Sequence, residues 1–241
     1  MRMTLSEKRI LIVGGTSGFG FEAARQAVTA GAQVHVIGHT PEHVATAVRT
    51  LAPAGQQVTG TALDAQDADE LTQFLENQPN FDHVLSFLGG AMGGGFLDNS
   101  VAAIRQAVED KFFANLQLVK LAAKHLNPGG SLILTSGAGG HPYDASGAII
   151  GNQAINTLVA GVAVELAPDY RINAVAPTWT PTGLWRQMTP DQRAAQAQAF
   201  SQNVPLKRVA TVAEVASAYL YLMQNGFVTG QVLPVDGGVD L

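Results

Sequence analysis

The sequence predicts a single α/β domain in which a parallel sheet is covered by helices on both faces. Two observations carry that reading. Short apolar, β-branched runs alternate with longer helix-period segments along the whole chain. Several of the short runs are apolar almost throughout, as strands buried on both sides of a parallel sheet must be. The order β-α-β then requires right-handed crossovers, which place helices above and below the sheet.

The elements follow in order. Strands are predicted at 10–13, 33–37, 57–62, 83–87, 131–135, 171–176 and 231–234, about seven in all. Helices are predicted near 18–30, 41–51, 67–77, 100–126, 148–167 and 211–224. Residues 178–209, after the sixth strand, carry Trp179, Trp185, Met188 and three prolines. Ligands of open α/β sheets sit beyond the carboxyl ends of the strands. This segment is therefore read as a substrate lid, the alternative being a surface helical hairpin. The three side chains line an apolar pocket or pack as core beneath the segment. No repeat, low-complexity tail or linker divides the chain, so residues 1–241 are read as one domain.

Composition narrows the function. At 241 residues, 46% apolar and 14% charged, the chain suits one doubly wound core and not a disordered one. A net charge of −5 with scattered Lys and Arg argues against a nucleic-acid partner. The absence of cysteine excludes disulfides and thiolate metal sites. His35, His39 and His43 recur every four residues but run from a strand into a loop, so no metal is expected. The N-terminal stretch does not read as a signal peptide, and no uninterrupted apolar run approaches the roughly 20 residues of a membrane span. A cytoplasmic protein is expected.

The most informative stretch is Val13-Gly14-Gly15-Thr16-Ser17-Gly18-Phe19-Gly20, between the first strand and a helix. Gly14 permits a sharp turn, Gly18 lets the backbone approach a pyrophosphate, and Gly20 lets helix and strand pack closely. The N–H groups of the helix start then face the phosphate charge. Strand before, helix after and position near the chain start agree on dinucleotide binding.

The spacing GxxxGxG, together with later motifs, resembles the short-chain dehydrogenase/reductase family. Asp64 at the end of the third strand, Asn115 in the long helix, Arg171-Ile-Asn-Ala-Val-Ala-Pro177 followed by Thr182, and Val235-Asp-Gly-Gly238 all fall in the family's order. The resemblance implies a Rossmann-type doubly wound fold, a nicotinamide cofactor, a small-molecule substrate and a homodimer or homotetramer. It assigns Gly14, Thr16, Ser17, Gly18, Phe19, Gly20, His39, Thr40, Asp64, Gly89, Pro177 and Thr182 to the cofactor. Asp64 would lie beside the adenine, and Asn115 would support a water at the active site.

Dinucleotide choice turns on the end of the second strand. Gly38 stands where an NAD enzyme normally places an Asp to take the ribose hydroxyls. Neighbouring His39 and Thr40 offer donors to a 2′-phosphate, although the family's arginine is missing. NADP(H) is favoured, with NAD(H) as the alternative.

The catalytic pattern departs from the family. Its serine matches Ser136. Its tyrosine and the lysine four residues later fall, counted without gaps, on Ala148 and Asn152. Neither can move a proton, though Asn152 could still bond a ribose. A gapped reading uses Tyr143-Asp-Ala-Ser-Gly147, supplying a tyrosine but no lysine. It demands a five-residue insertion within a helix, which would rotate every later side chain off its face. Two further departures are Ser86-Phe87-Leu88-Gly89 after the fourth strand and Thr178 in place of a glycine. The run 90–95 reads as a mobile loop beside the nicotinamide or as a flexible connector.

The expected activity is an NADP(H)-dependent oxidoreductase acting on a small carbonyl or alcohol. Ser136, Asn115, Tyr143 and Asn152 are the candidate catalytic residues, and Tyr143, His141 or a water is the candidate proton donor. The alternatives are a catalytically silent dinucleotide-binding regulator and a non-redox enzyme on the same scaffold.

Overall fold

A computed structural model describes residues 4–52 and 58–241. Seven parallel strands form one sheet in the order β3-β2-β1-β4-β5-β6-β7. They are β1 (Arg9–Val13), β2 (Gln33–Gly38), β3 (Val58–Ala62), β4 (Phe81–Ser86), β5 (Leu126–Thr135), β6 (Arg171–Pro177) and β7 (Val232–Val235). The fold is the expected doubly wound one. Gln57, placed in the third predicted strand, lies outside the described residues.

Side-chain alternation on the strands feeds two cores. Leu11, Val13, Leu132, Leu134, Ile172 and Ala174 face one side with α3 (Ala68–Glu76), α5 (Ala114–Ala122) and α6 (Ser146–Leu166). Ile10, Ile12, Ile133 and Val175 face the other with α1 (Gly18–Thr29) and α8 (Val212–Gln224). The side chains point to opposite faces at period two, which is why neighbouring apolar residues never compete for one layer. Arg171 anchors the second layer by donating to the carbonyls of Leu222, Met223 and Val228, near the α8 C-terminus, where unpaired carbonyls favour a cation.

Three expectations need correction. The helix predicted over 100–126 is not continuous: α4 (Val101–Val108) passes through a π-helical turn, Glu109–Phe113, into α5, and a 3₁₀ turn follows at Ala123–His125. β5 begins at Leu126 because that residue already pairs with Phe81, ahead of a register shift before His83. α6 starts at Ser146, two residues early, because Ser146 N–H donates to the Gly94 carbonyl as the helix opens. α6 is also long and apolar enough, by length and mean hydropathy alone, to cross a membrane. Its Ile155, Val159 and Ala163 are instead committed to the sheet.

The segment after β6 holds a 3₁₀ turn, Gly183–Trp185, and the helix α7 (Pro190–Asn203), capped by a reciprocal Thr189–Gln192 box. The remaining helix, α2 (Pro41–Leu51), follows β2.

Two strand histidines are buried and neutral. His35 bonds to Thr59 and Thr61, and His83 to Ser131. Burial lowers both from 6.5 to about 4. The unfolded chain therefore binds more protons between those values, so stability is full above pH 6.5 and is lost as pH falls through 4. Urea unfolding between pH 7 and pH 4 is expected to lose on the order of 3 kcal/mol per histidine. His35→Gln and His83→Gln together should flatten that slope; an unchanged slope would exclude these two groups as its cause.

Candidate functional site

The strand order reverses direction between β1 and β4, which opens a crevice at the carboxyl ends of those strands. The glycine loop fills its mouth. Gly14 turns at φ +81° and donates, with Gly15, to the Ile37 carbonyl at 2.9 and 3.1 Å. A Cβ on Gly20 would collide with the Gly14 carbonyl oxygen, so only glycine lets α1 start this close to β1. Ser17 caps α1 in an extended conformation without a side-chain cap bond, leaving the first-turn N–H groups directed at the crevice. Opposite them, Thr182 Cβ stands 3.5 Å from where a Gly18 Cβ would lie. The loop and the start of the β6–α7 segment thus face each other across a cradle that side chains would fill. That cradle, with helix N–H groups along its floor, fits a pyrophosphate.

At one end lies the β2 terminus. Gly38 is buried, and a Cβ there would sit 2.6 Å from Thr16 Cγ2. A side chain at this position would require Thr16 to turn aside, so glycine and the present Thr16 rotamer go together. Exposed His39 has Nδ1 3.8 Å from Asp64 Oδ1. Thr40 caps α2 without spending its hydroxyl on a cap bond. These three expected residues are brought together. Phe19 packs into the α1 core layer instead of standing free.

At the other end lies a polar cluster. Ser86 donates to Asn115 Oδ1 at 2.6 Å, and Asn115 Nδ2 donates to the Lys111 carbonyl at 2.6 Å, with Asn115 fully buried. Ser136 donates to Asn156 Oδ1 at 2.6 Å and lies 3.2 Å from the Asn152 carbonyl. Its single proton is held by Asn156, which leaves its lone pairs as the free hydrogen-bonding capacity. Asn152 Nδ2 sits over Gly137, 2.5 Å from where a Cβ would be.

Tyr143 is placed elsewhere: it is 73% exposed and stacks on His141 at 5.1 Å in the turn before α6. Ala148 is half-buried. The glycine run is held in place, since Ser146 Oγ donates to the Gly94 carbonyl and Asn99 Nδ2 to those of Gly93 and Gly95.

Two residues of this cluster were not anticipated. Asn156 stands one turn after Asn152, the i,i+4 spacing that puts both on one face of α6. Lys111 stands one turn before Asn115, inside the π turn, and is 8% exposed. Burial alone lowers its ammonium from 10.5 to about 8. Its presence in the cluster depends on the helical phase set by the π turn, which a plain 3.6-residue period does not predict.

Beyond β6, Pro177 accepts from Ala138 N–H, and Thr178 Oγ1 and Trp179 Nε1 are buried with no hydrogen-bond partner among the described residues. Trp179 stacks on Trp185 at 5.7 Å and meets Phe200 at 6.4 Å, so the two half-buried tryptophans form an aromatic cluster within the segment. Met188 lies on a shallow outer surface with Gln192 and Ala195.

A doubly wound sheet with a phosphate cradle at its switch point defines a dinucleotide-binding α/β protein. The family model described as enoyl-(acyl carrier protein) reductase matches residues 13–240. The chain is 31% identical to the short-chain dehydrogenase/reductase fsr5 of Gibberella fujikuroi, covering 97% of this chain and 95% of that one. A small-chain dehydrogenase solved in complex with NADPH is 30% identical, with a TM-score of 0.81 over 97% of this chain and 99% of that one. A short-chain type dehydrogenase/reductase of Mycobacterium ulcerans is 26% identical, with a TM-score of 0.88 over 98% and 90% of the two chains. The chain belongs to the short-chain dehydrogenase/reductase family, whose members are oxidoreductases of small molecules using NAD(P).

Gly18 at φ +55° is the sharpest test of the cradle. Gly18→Val places a branched side chain in the pyrophosphate path and in a backbone region it disfavours. Loss of measurable nucleotide binding is expected from equilibrium titration of a variant that remains folded by circular dichroism; wild-type affinity would refute the placement.

Proposed function

We propose that this protein is an NADP(H)-dependent oxidoreductase of a small carbonyl or alcohol compound, working without the family's tyrosine–lysine pair. The observation that carries the cofactor choice is the buried Gly38 against Thr16, which leaves no acid to repel a 2′-phosphate. His39 and Thr40 stand at the same strand end as donors to that phosphate. A relative solved with NADPH supports the same choice.

Bound nicotinamide supplies or accepts the hydride. The chain's own residues hold the two reactants in line, and such positioning is worth roughly 7–11 kcal/mol. Gly14, Thr16, Ser17, Gly18, Phe19 and Gly20 form the pyrophosphate side, with Asp64 toward the adenine, and Gly89, Pro177 and Thr182 continue the cofactor wall. Ser136, held by Asn156, and Asn152 bound the substrate end, and Asn115 ties Ser86 at the β4 end to the π turn. Tyr143, exposed beside His141 and outside that cluster, remains the candidate proton donor and would have to move toward Ser136 to serve, beneath a lid formed by residues 178–209. General acid catalysis contributes about 10²–10⁴-fold, so a weak donor slows such a site without removing its logic.

A homodimer or homotetramer in the cytoplasm fits this reading. Phe113, ending the π turn before α5, and Val164, on α6, are 47% and 79% exposed, apolar surface suited to pairing helices between copies. Ala148 and Asn152 favour a second reading, a dinucleotide-binding regulator without turnover.

Equilibrium titration with NADPH and NADH in parallel tests the proposal. NADPH is expected to bind at least tenfold more tightly, a difference of about 1.4 kcal/mol. His39→Ala should remove most of that preference while leaving NADH affinity unchanged. Tighter binding of NADH would overturn the cofactor choice. Nucleotide binding without carbonyl-dependent NADPH oxidation would favour the regulator.

A further inference from the structure

Lys111 is the one titratable side chain in the polar cluster around Ser136 and Asn115, and neither the family's catalytic pattern nor the site described above gives it work. Its stem is threaded between two glycines. Lys111 Cγ and Cβ lie 2.9 and 3.0 Å from where a Gly151 Cβ would be, and Lys111 Cδ fills the place of a Cβ on Gly89. Nζ lies 3.4 Å from that same Gly89 position and 3.5 Å from the Leu88 carbonyl, a marginal bond and its one hydrogen-bond partner among the described residues. A buried ammonium offers three donors and costs free energy unless they are used.

Its surroundings do not use them. The β4 end brings Leu88 and Gly89, and α6 brings Gly151; neither carries a charge. On its own stretch, Asp110 is engaged by Gln106 at 2.7 Å and Asn115 takes the Lys111 backbone carbonyl. No charged group among the described residues offsets the burial, consistent with an amine lowered by desolvation alone.

The ammonium nevertheless sits at an informative place. Gly89 is exposed, at φ +110°, just past the carboxyl end of β4. A dinucleotide crossing the β1/β4 switch point lays its adenosine over β2 and β3, where His39 and Asp64 stand. Its second half therefore lies over β4 and β5, and the part nearest the pyrophosphate is the nicotinamide-side ribose. Asn152, adjacent to Gly151, carries no charge with which to hold it.

We propose that Lys111 holds the nicotinamide-side ribose of the bound dinucleotide, delivering from the π turn between α4 and α5 the cation that α6 lacks. Gly89 and Gly151 are then the two positions that let its side chain through. This rests on the dinucleotide-binding reading above.

Lys111→Met keeps the unbranched stem and removes the donors. Titration with NADPH should show binding weakened at least tenfold. The variant free of nucleotide should melt at a higher temperature than the wild type, because a buried charge with one marginal bond is gone. Lysine that serves only packing predicts the reverse, unchanged affinity with unchanged or lower melting temperature, and that result would overturn the assignment. Should the variant misfold, ¹⁵N-lysine NMR of the wild type provides the second measurement. Saturation with NADPH should raise the Lys111 titration midpoint as its ammonium gains partners, and an unmoved midpoint counts against the proposal. Wild-type protein that binds neither NADPH nor NADH would instead sink the dinucleotide reading itself, together with this inference.

Discussion

The distance between the end of β1 and the first turn of α1 is the constraint on which the site depends. Val13 ends the strand and Gly18 begins the helix, so only four residues make the turn. That closeness exists because Gly20 presents no side chain to the Gly14 carbonyl. It points the unpaired N–H groups of α1 into the crevice where the sheet changes direction. A larger residue at position 20 would push α1 away and blunt the local field that draws a phosphate there.

The two ends of the crevice are built by opposite means. The β2 end is open and polar, with exposed His39 and Asp64 able to adjust to a ligand. The β4–β5 end is buried and fixed: Ser86, Asn115 and Lys111 form one connected set, and Ser136 is tied to α6 by Asn156. Buried polar sets of this kind are rigid when every member is satisfied and costly where one is not. Asn115 is satisfied, whereas Lys111 spends one donor on a marginal bond to Leu88, and Thr178 Oγ1 and Trp179 Nε1 have no partner among the described residues. Unspent donors therefore concentrate where the second half of a dinucleotide would lie.

The fold was largely legible because its signals are local. β-Branched runs, helix periods and the glycine loop each declare themselves within a dozen residues, and all seven strands fell near their predicted places. What the sequence hid depends on phase and packing. The π turn at Glu109–Phe113 leaves no compositional mark, yet it rotates Lys111 inward. Asn156 resembles any helix polar residue until Ser136 is seen to donate to it. The early start of α6 follows from a hydrogen bond to Gly94, a contact some 50 residues away in the chain. Gly38 was noticed as a missing acid, but only packing reveals that Thr16 occupies the space an acid would need.

The aromatic cluster after β6 has a practical side. Trp179 and Trp185 are the only two tryptophans in the sequence, and they stack on each other within one short segment. Nearly all long-wavelength ultraviolet emission of the protein therefore originates from a single spot. Any displacement of the segment relative to β6 would alter the local polarity of both indoles at once. The chain thus carries a built-in optical reporter of its own conformational state, readable without attached dyes or engineered labels.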